Sequence, residues 1–223
     1  TELYSHITIK VMIISHKHRF IFIKTNKTAG TSFEIALSSI CGPKDILTPI
    51  SPKDERVRAF LGYCGPQNYQ NKDVLFRAHT SASSIKKNIA PEIWETYFKF
   101  CFERNPWDKV ISHYYWRGGE IKYKGLDTYL EAGELGKIKA FSQYAYGDKI
   151  LVDKIYKFEQ LNQAVIALKQ RLELPESFRL PDYKAKSGFR KYQADYRTFY
   201  TKQQQELIGK TFKREINLMG YQF

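Results

Sequence analysis

Long apolar runs are missing from this sequence. The stretches at 11–14 and 20–23 are far shorter than the roughly 20 residues a membrane-spanning helix needs, so no bilayer span is expected. A charged-then-apolar leader is also missing at the N-terminus, and the expected location is the cytoplasm. Cysteine is scarce: Cys41, Cys64 and Cys101 are odd in number and lack any CxxC or Cys/His pairing at metal-ligand distance. That argues against a disulfide framework and a zinc site. Three reduced thiols are expected, Cys101 within a strand, and no metal. Repeats and low-complexity tracts are absent, which excludes a solenoid or a biased tail. Acidic residues are the minority, 23 Asp plus Glu against 36 Lys plus Arg, for a net charge of +13. Anionic partners follow, whether nucleic acid, lipid surface, nucleotide or acidic polysaccharide. The basic residues are spread along the chain, which weighs against a nucleic-acid tail and fits a basic, solvated surface.

What is present suits one compact domain over residues 1–223, with 43% hydrophobic and 15% aromatic content. Apolar runs at 11–14 and 20–23 flank the polar His16-Lys-His-Arg19 and read as two strands joined by a tight turn. Further strands are expected at 74–76, 97–102 and 150–158, and helices at 31–40, 81–88, 107–116, 161–172 and 202–219. Residues 42–72 carry Pro43, Pro49, Pro52 and Pro66 and read as the least regular part. Short apolar strands alternating with helices imply an α/β fold, a central mostly parallel sheet with helices on both faces.

Two strand-to-helix junctions stand out. The first is Phe20-Ile-Phe-Ile-Lys-Thr-Asn-Lys-Thr-Ala-Gly-Thr-Ser-Phe-Glu34. Such a turn aims unpaired backbone N–H groups and the helix dipole at one point, an anion site. Gly30 and Ala29 permit close backbone approach, Thr28, Thr31 and Ser32 add hydroxyls, and Lys27 adds a positive charge. The nucleotide loop GxxxxGK[ST] is absent, because the lysine precedes the single glycine. In the second junction Arg104 ends a strand, Asn105-Pro106 follows, and Ser112 lies on the next helix. Open α/β sheets place ligands at such strand ends, and the planar guanidinium matches phosphate oxygens.

These residues carry a family resemblance. Lys27-Thr28-Ala29-Gly30-Thr31-Ser32 resembles the 5′-phosphosulfate loop of sulfotransferases that use 3′-phosphoadenosine 5′-phosphosulfate (PAPS), with Asn26 where the family often has proline. Arg104, Asn105-Pro106 and Ser112 resemble the family's 3′-phosphate motif. Tyr156-Lys-Phe-Glu159, Leu180-Pro181, Lys186-Ser187, Arg190, Tyr192, Tyr196 and Gly220-Tyr-Gln-Phe223 look like the carboxyl half of bacterial carbohydrate-type members, similar to heparan sulfate 2-O-sulfotransferase-like enzymes. The resemblance implies a P-loop-like sulfotransferase fold, PAPS as cosubstrate, and transfer to an acceptor hydroxyl, a sugar or polysaccharide being favoured. It implies that Lys27, Thr28, Ala29, Gly30, Thr31, Ser32, Arg104 and Ser112 bind the donor, with Ser187 and Arg190 reaching its 3′-phosphoadenosine.

Transfer needs a base for the acceptor proton and a stabiliser for the leaving phosphate oxygen, by analogy with phosphoryl transfer. Lys27 fits the second role. His79, at the end of the expected 74–76 strand and before Thr80-Ser81, is the favoured base, with Glu34 and Glu103 as alternatives. His113 is read as structural. Two other functions stay open: a nucleotide-dependent phosphotransferase, which would want a strand ending in a magnesium-binding Asp, and a non-catalytic polyanion binder. Residues 42–72 and 117–148 are expected to shape the acceptor site.

Overall fold

A computed structural model of the chain describes residues 12–70, 80–182 and 194–223. The polar stretch 16–19 forms the turn between β1 (Met12–Ser15) and β2 (Phe20–Ile23), which pair antiparallel from Met12↔Ile23 to Ser15↔Phe20. The chain continues through α1 (Gly30–Ser38), β3 (Ile46–Leu47), α2 (Pro52–Phe60), α3 (Ala82–Lys87), α4 (Pro91–Thr96) and β4 (Phe98–Glu103). After β4 come α5 (Pro106–Trp116), α6 (Gly119–Tyr123), α7 (Leu126–Glu131) and α8 (Phe141–Tyr144). Then follow β5 (Ala145–Tyr146), β6 (Lys149–Ile150), β7 (Lys154–Lys157), α9 (Leu161–Leu172), α10 (Lys202–Thr211) and α11 (Lys213–Met219).

The central sheet has the order β3-β1-β2-β4-β7. β2, β4 and β7 pair parallel, β1 runs antiparallel to both β2 and β3, and so β1 alone opposes the sheet direction. Alternation sets the two faces. Phe20, Phe22, Phe100 and Phe102 pack with Phe33 and Leu37 of α1 and Leu168 of α9. Ile21, Ile23 and Cys101 pack on the other side with Ala82, Ile85, Trp94 and Tyr144. Helices therefore cover both faces, and β2 and β4 are apolar on each. A third core gathers Trp107, Val110 and Tyr114 of α5 with Tyr123, Tyr129, Ile208 and Phe212.

Three expectations need correction. Residues 42–72 hold β3 and α2, because Pro52 stands at the first helical turn behind Ser51, whose side chain accepts the Asp54 N–H; proline there starts a helix. The expected strand at 150–158 divides: β6 pairs with β5 in a separate hairpin, and only β7 joins the sheet. The helix expected over 202–219 breaks at Phe212 (φ −110°, ψ 24°), which is fully buried. The spacing of Ile208, Phe212 and Ile216 drifts about 40° around a straight helix at each step, and the break re-aims the later residues. The expected strand at 74–76 lies outside the described residues.

Because β2, β4 and β7 are parallel, their carboxyl ends meet at one sheet edge. The loops bearing Lys27 and Arg104 leave from neighbouring strands at that edge.

Candidate functional site

The loop after β2 turns on two left-handed residues, Lys27 (φ 60°) and Ala29 (φ 55°), conformations rare outside glycine. Thr28 sits between them, buried, and its hydroxyl lies 2.9 Å from that of Thr25. Thr25 in turn donates to the Phe102 carbonyl of β4, so the loop is sewn to the next strand. Ala29 precedes α1, whose N-terminus carries no side-chain cap. The Phe33 N–H reaches the Ala29 carbonyl at 3.0 Å, which leaves the first-turn N–H groups of Gly30, Thr31 and Ser32 directed outward from the helix end. Gly30 also admits a close neighbour within the chain: a Cβ there would stand 2.6 Å from Cγ of Lys24. The close neighbour is the chain's own lysine.

Arg104 leaves the end of β4. Its Nε donates to Asp108 at 2.8 Å and its Nη1 to the Lys27 carbonyl at 3.2 Å, while the guanidinium lies 4.2 Å from the Phe158 ring centroid. The two motifs thus touch through one hydrogen bond spanning 77 residues of sequence. Asp108, Ser112 and Trp116 follow at intervals of four along α5 and share one helix face. Ser112 is half-buried, and Lys27 Nζ lies 5.0 Å from the Trp116 ring centroid. Lys27, Arg104 and the Ser112 face are therefore brought together. His79, Ser187 and Arg190 lie outside the described residues.

Both alternative carboxylates are buried in ion pairs. Glu34 faces Lys24 at 3.0 Å and Arg58 at 3.6 Å. Glu103 faces Lys109, and its second oxygen accepts the Tyr144 hydroxyl at 3.1 Å. His113 is buried with Nδ1 2.7 Å from the Tyr129 hydroxyl, which supports a structural role. Burial, then the Lys27 ammonium, lowers its pKa from 6.5 to about 3. Because the folded value is depressed, the unfolded chain takes up a proton that the folded chain refuses. Stability should therefore fall as pH drops from 6.5 toward 3, and His113→Asn should flatten that part of a urea-midpoint profile. An unchanged slope would show that the histidine ionises freely.

Sequence reasoning named most of the residues that hold the Asn105-Pro106 corner in place, but only as motif segments and without a structural role. Asn105 caps α5, accepting the Trp107 N–H. Its own N–H donates to Glu159 at 2.7 Å, and its amide reaches the Tyr196 hydroxyl and the Gln222 carbonyl. The Tyr221 hydroxyl donates within reach of both the Glu103 carbonyl (3.0 Å) and Glu159 (3.1 Å). Tyr156-Lys-Phe-Glu159, Tyr196 and the chain's last residues thus converge on the Asn105-Pro106 corner. Asp108 was visible as a charge four residues after Arg104, whereas Lys24 and Trp116 had no signal beyond their proximity to the motifs.

The fold and site define an α/β protein in which a strand–loop–helix with no side-chain cap at its helix N-terminus lies against an arginine at the neighbouring strand end. The chain belongs to the sulfotransferase family, whose model matches residues 10–222. It is therefore an enzyme of sulfuryl transfer. It is also similar to an uncharacterized protein of Archaeoglobus fulgidus, 29% identical over 103 residues, which cover 41% of this chain and 81% of that protein. Among the described residues no helix is long and apolar enough to cross a membrane, and no group of three or more His, Cys, Asp or Glu could hold a metal ion.

Proposed function

We propose that the chain transfers the sulfuryl group of PAPS to an acceptor hydroxyl, with carbohydrate as the acceptor class. The observation that carries this reading is the contact between the motifs: Arg104 donates to the Lys27 carbonyl at 3.2 Å. One connected surface then offers an uncapped helix N-terminus with a lysine at one end and a guanidinium with the Ser112 face at the other. A nucleotide phosphorylated at both 5′ and 3′ positions would find a cationic group for each phosphate. The N–H groups of Gly30, Thr31 and Ser32, with the hydroxyls of the loop, receive the 5′-phosphate. Arg104 and Ser112 receive the 3′-phosphate. Asp108 already neutralises Arg104 (Nη2–Oδ2 2.6 Å), so an arriving phosphate exchanges with or shares a guanidinium that is held in position.

In the reaction the acceptor oxygen forms a bond to sulfur as the bond from sulfur to the phosphate oxygen breaks in line. The acceptor proton passes to His79, the proposed base, and the Lys27 ammonium meets the negative charge growing on the leaving oxygen. Ser187 and Arg190 are proposed to bind the 3′-phosphoadenosine, and the whole of 1–223 to act as one domain. Exposed aromatic surface beside the loop, such as Trp116 at 37% exposure, suits a sugar ring.

Calorimetry tests the donor. Adenosine 3′,5′-bisphosphate should bind far more tightly than ATP, and Arg104→Ala should weaken it by about 1.5–3 kcal/mol, the range for hydrogen bonds to charged groups. Equal affinity for ATP and the bisphosphate would sink the reading.

A further inference from the structure

Lys24 lies outside the loop signature, yet the loop is folded around it. It leaves the end of β2 with 6% of its surface exposed, and its stem runs across Gly30, where any Cβ would collide with Cγ at 2.6 Å. Its Nζ donates to Thr31 Oγ1 at 2.9 Å and to Glu34 Oε2 at 3.0 Å. Glu34, one turn along α1, is fully buried, and its other oxygen faces the fully buried Arg58 of α2, which is itself paired with Glu55 at 3.2 Å. The groups facing Glu34 are therefore Lys24, Arg58 and, behind them, Glu55.

The donor-only nature of an ammonium has a consequence. Lysine offers three N–H bonds and no acceptor, so the Thr31 oxygen must accept from Lys24, and the hydroxyl hydrogen must point elsewhere. Among the described residues no hydrogen bond runs from Thr31 Oγ1 to a protein acceptor. A threonine in the first helical turn otherwise takes either role, accepting from backbone N–H or donating to a carbonyl.

We propose that Lys24 and Glu34 are positioning residues: their buried ion pair fixes the Thr31 hydroxyl as a hydrogen-bond donor to the 5′-phosphate of the donor nucleotide. The proposal rests on the reading of this loop as the donor site. Glu34 keeps the ammonium from turning toward the bound phosphate. Gly30 provides the room for the lysine stem.

A double-mutant cycle read by calorimetry with adenosine 3′,5′-bisphosphate tests it. Thr31→Val should weaken binding about tenfold in the native background, the usual size of a hydrogen bond to a charged group. In a Lys24→Met background the same change should cost less than about twofold, because the hydroxyl is no longer aimed, and Lys24→Arg should restore most of the coupling. Equal factors in both backgrounds would reduce Lys24 to a packing residue and overturn the proposal alone. Should Lys24→Met not fold, Glu34→Gln replaces it in the cycle: a Thr31→Val factor below about threefold supports the proposal, and an undiminished tenfold factor overturns it. Failure of the native chain to bind the bisphosphate would overturn the donor reading, and this proposal with it.

Discussion

Replacing Lys109 with methionine should destabilise the fold by about 3–5 kcal/mol, the cost of stranding a buried charge. Lys109 and Glu103 are each fully buried and form an ion pair. The same Glu103 oxygen accepts the Arg104 N–H at 3.0 Å, and the other accepts the Tyr144 hydroxyl at 3.1 Å. Two neutral donors remain after the substitution, but they do not supply a positive charge, and water cannot reach the carboxylate. Against a typical total stability of about 5–15 kcal/mol the loss is large, so the guanidinium midpoint should drop markedly with little change in slope. Adding Glu103→Gln to Lys109→Met should recover much of the loss, since no charge is then buried alone. A single-variant change below about 1 kcal/mol would show that the pair carries little of the fold's stability. The location matters for function, because Glu103 is the last residue of β4 and directly precedes Arg104.

The second large effect concerns rate. Lys27→Ala should lower the turnover of PAPS with an acceptor by about a hundredfold to a thousandfold, the range for removing one preorganised donor from a developing negative charge. Binding of adenosine 3′,5′-bisphosphate should change much less, because the α1 N–H groups and Arg104 remain. Alanine is the informative replacement. Lys27 holds a φ of 60°, and glycine would relax the loop as well as remove the ammonium. The lysine rests near the Trp116 ring, 5.0 Å from its centroid, so its flexible arm has a short path to the loop's mouth. Single-turnover kinetics separates the two roles. An unchanged chemical step with weakened bisphosphate binding would make Lys27 a binding residue and move the leaving-group role elsewhere.

Much of the architecture was legible because its causes are local. The β1–β2 hairpin followed from two apolar runs around a polar turn. The helix opening at Pro106 followed from proline's fixed φ, and the structure adds the Asn105 cap. The same local logic misjudged residues 42–72, where Pro52 was counted as a breaker although it begins α2 behind Ser51. It also ran the last helix straight through Phe212, because the spacing of four was read as one continuous stripe and its drift around the helix was not counted. The expectation of an anion site at this loop came from Lys27, Gly30 and the hydroxyls, since helix-end chemistry depends on adjacent residues alone.

The β1–β2 hairpin and the two strand-to-helix junctions, β2 into α1 and β4 into α5, were determined by sequence, through periodicity, caps and turn residues acting over a few positions. Only tertiary structure decided that Arg104 would meet the Lys27 carbonyl, 77 residues away, because that contact exists only once β2 and β4 pair in parallel. Tertiary structure likewise decided that Gly30 makes room for the stem of Lys24, and that Glu34 lies sealed between Lys24 and Arg58. Burial of those charges depends on how α1 and α2 close over the sheet, and no local pattern records which side of a helix will be cut off from water.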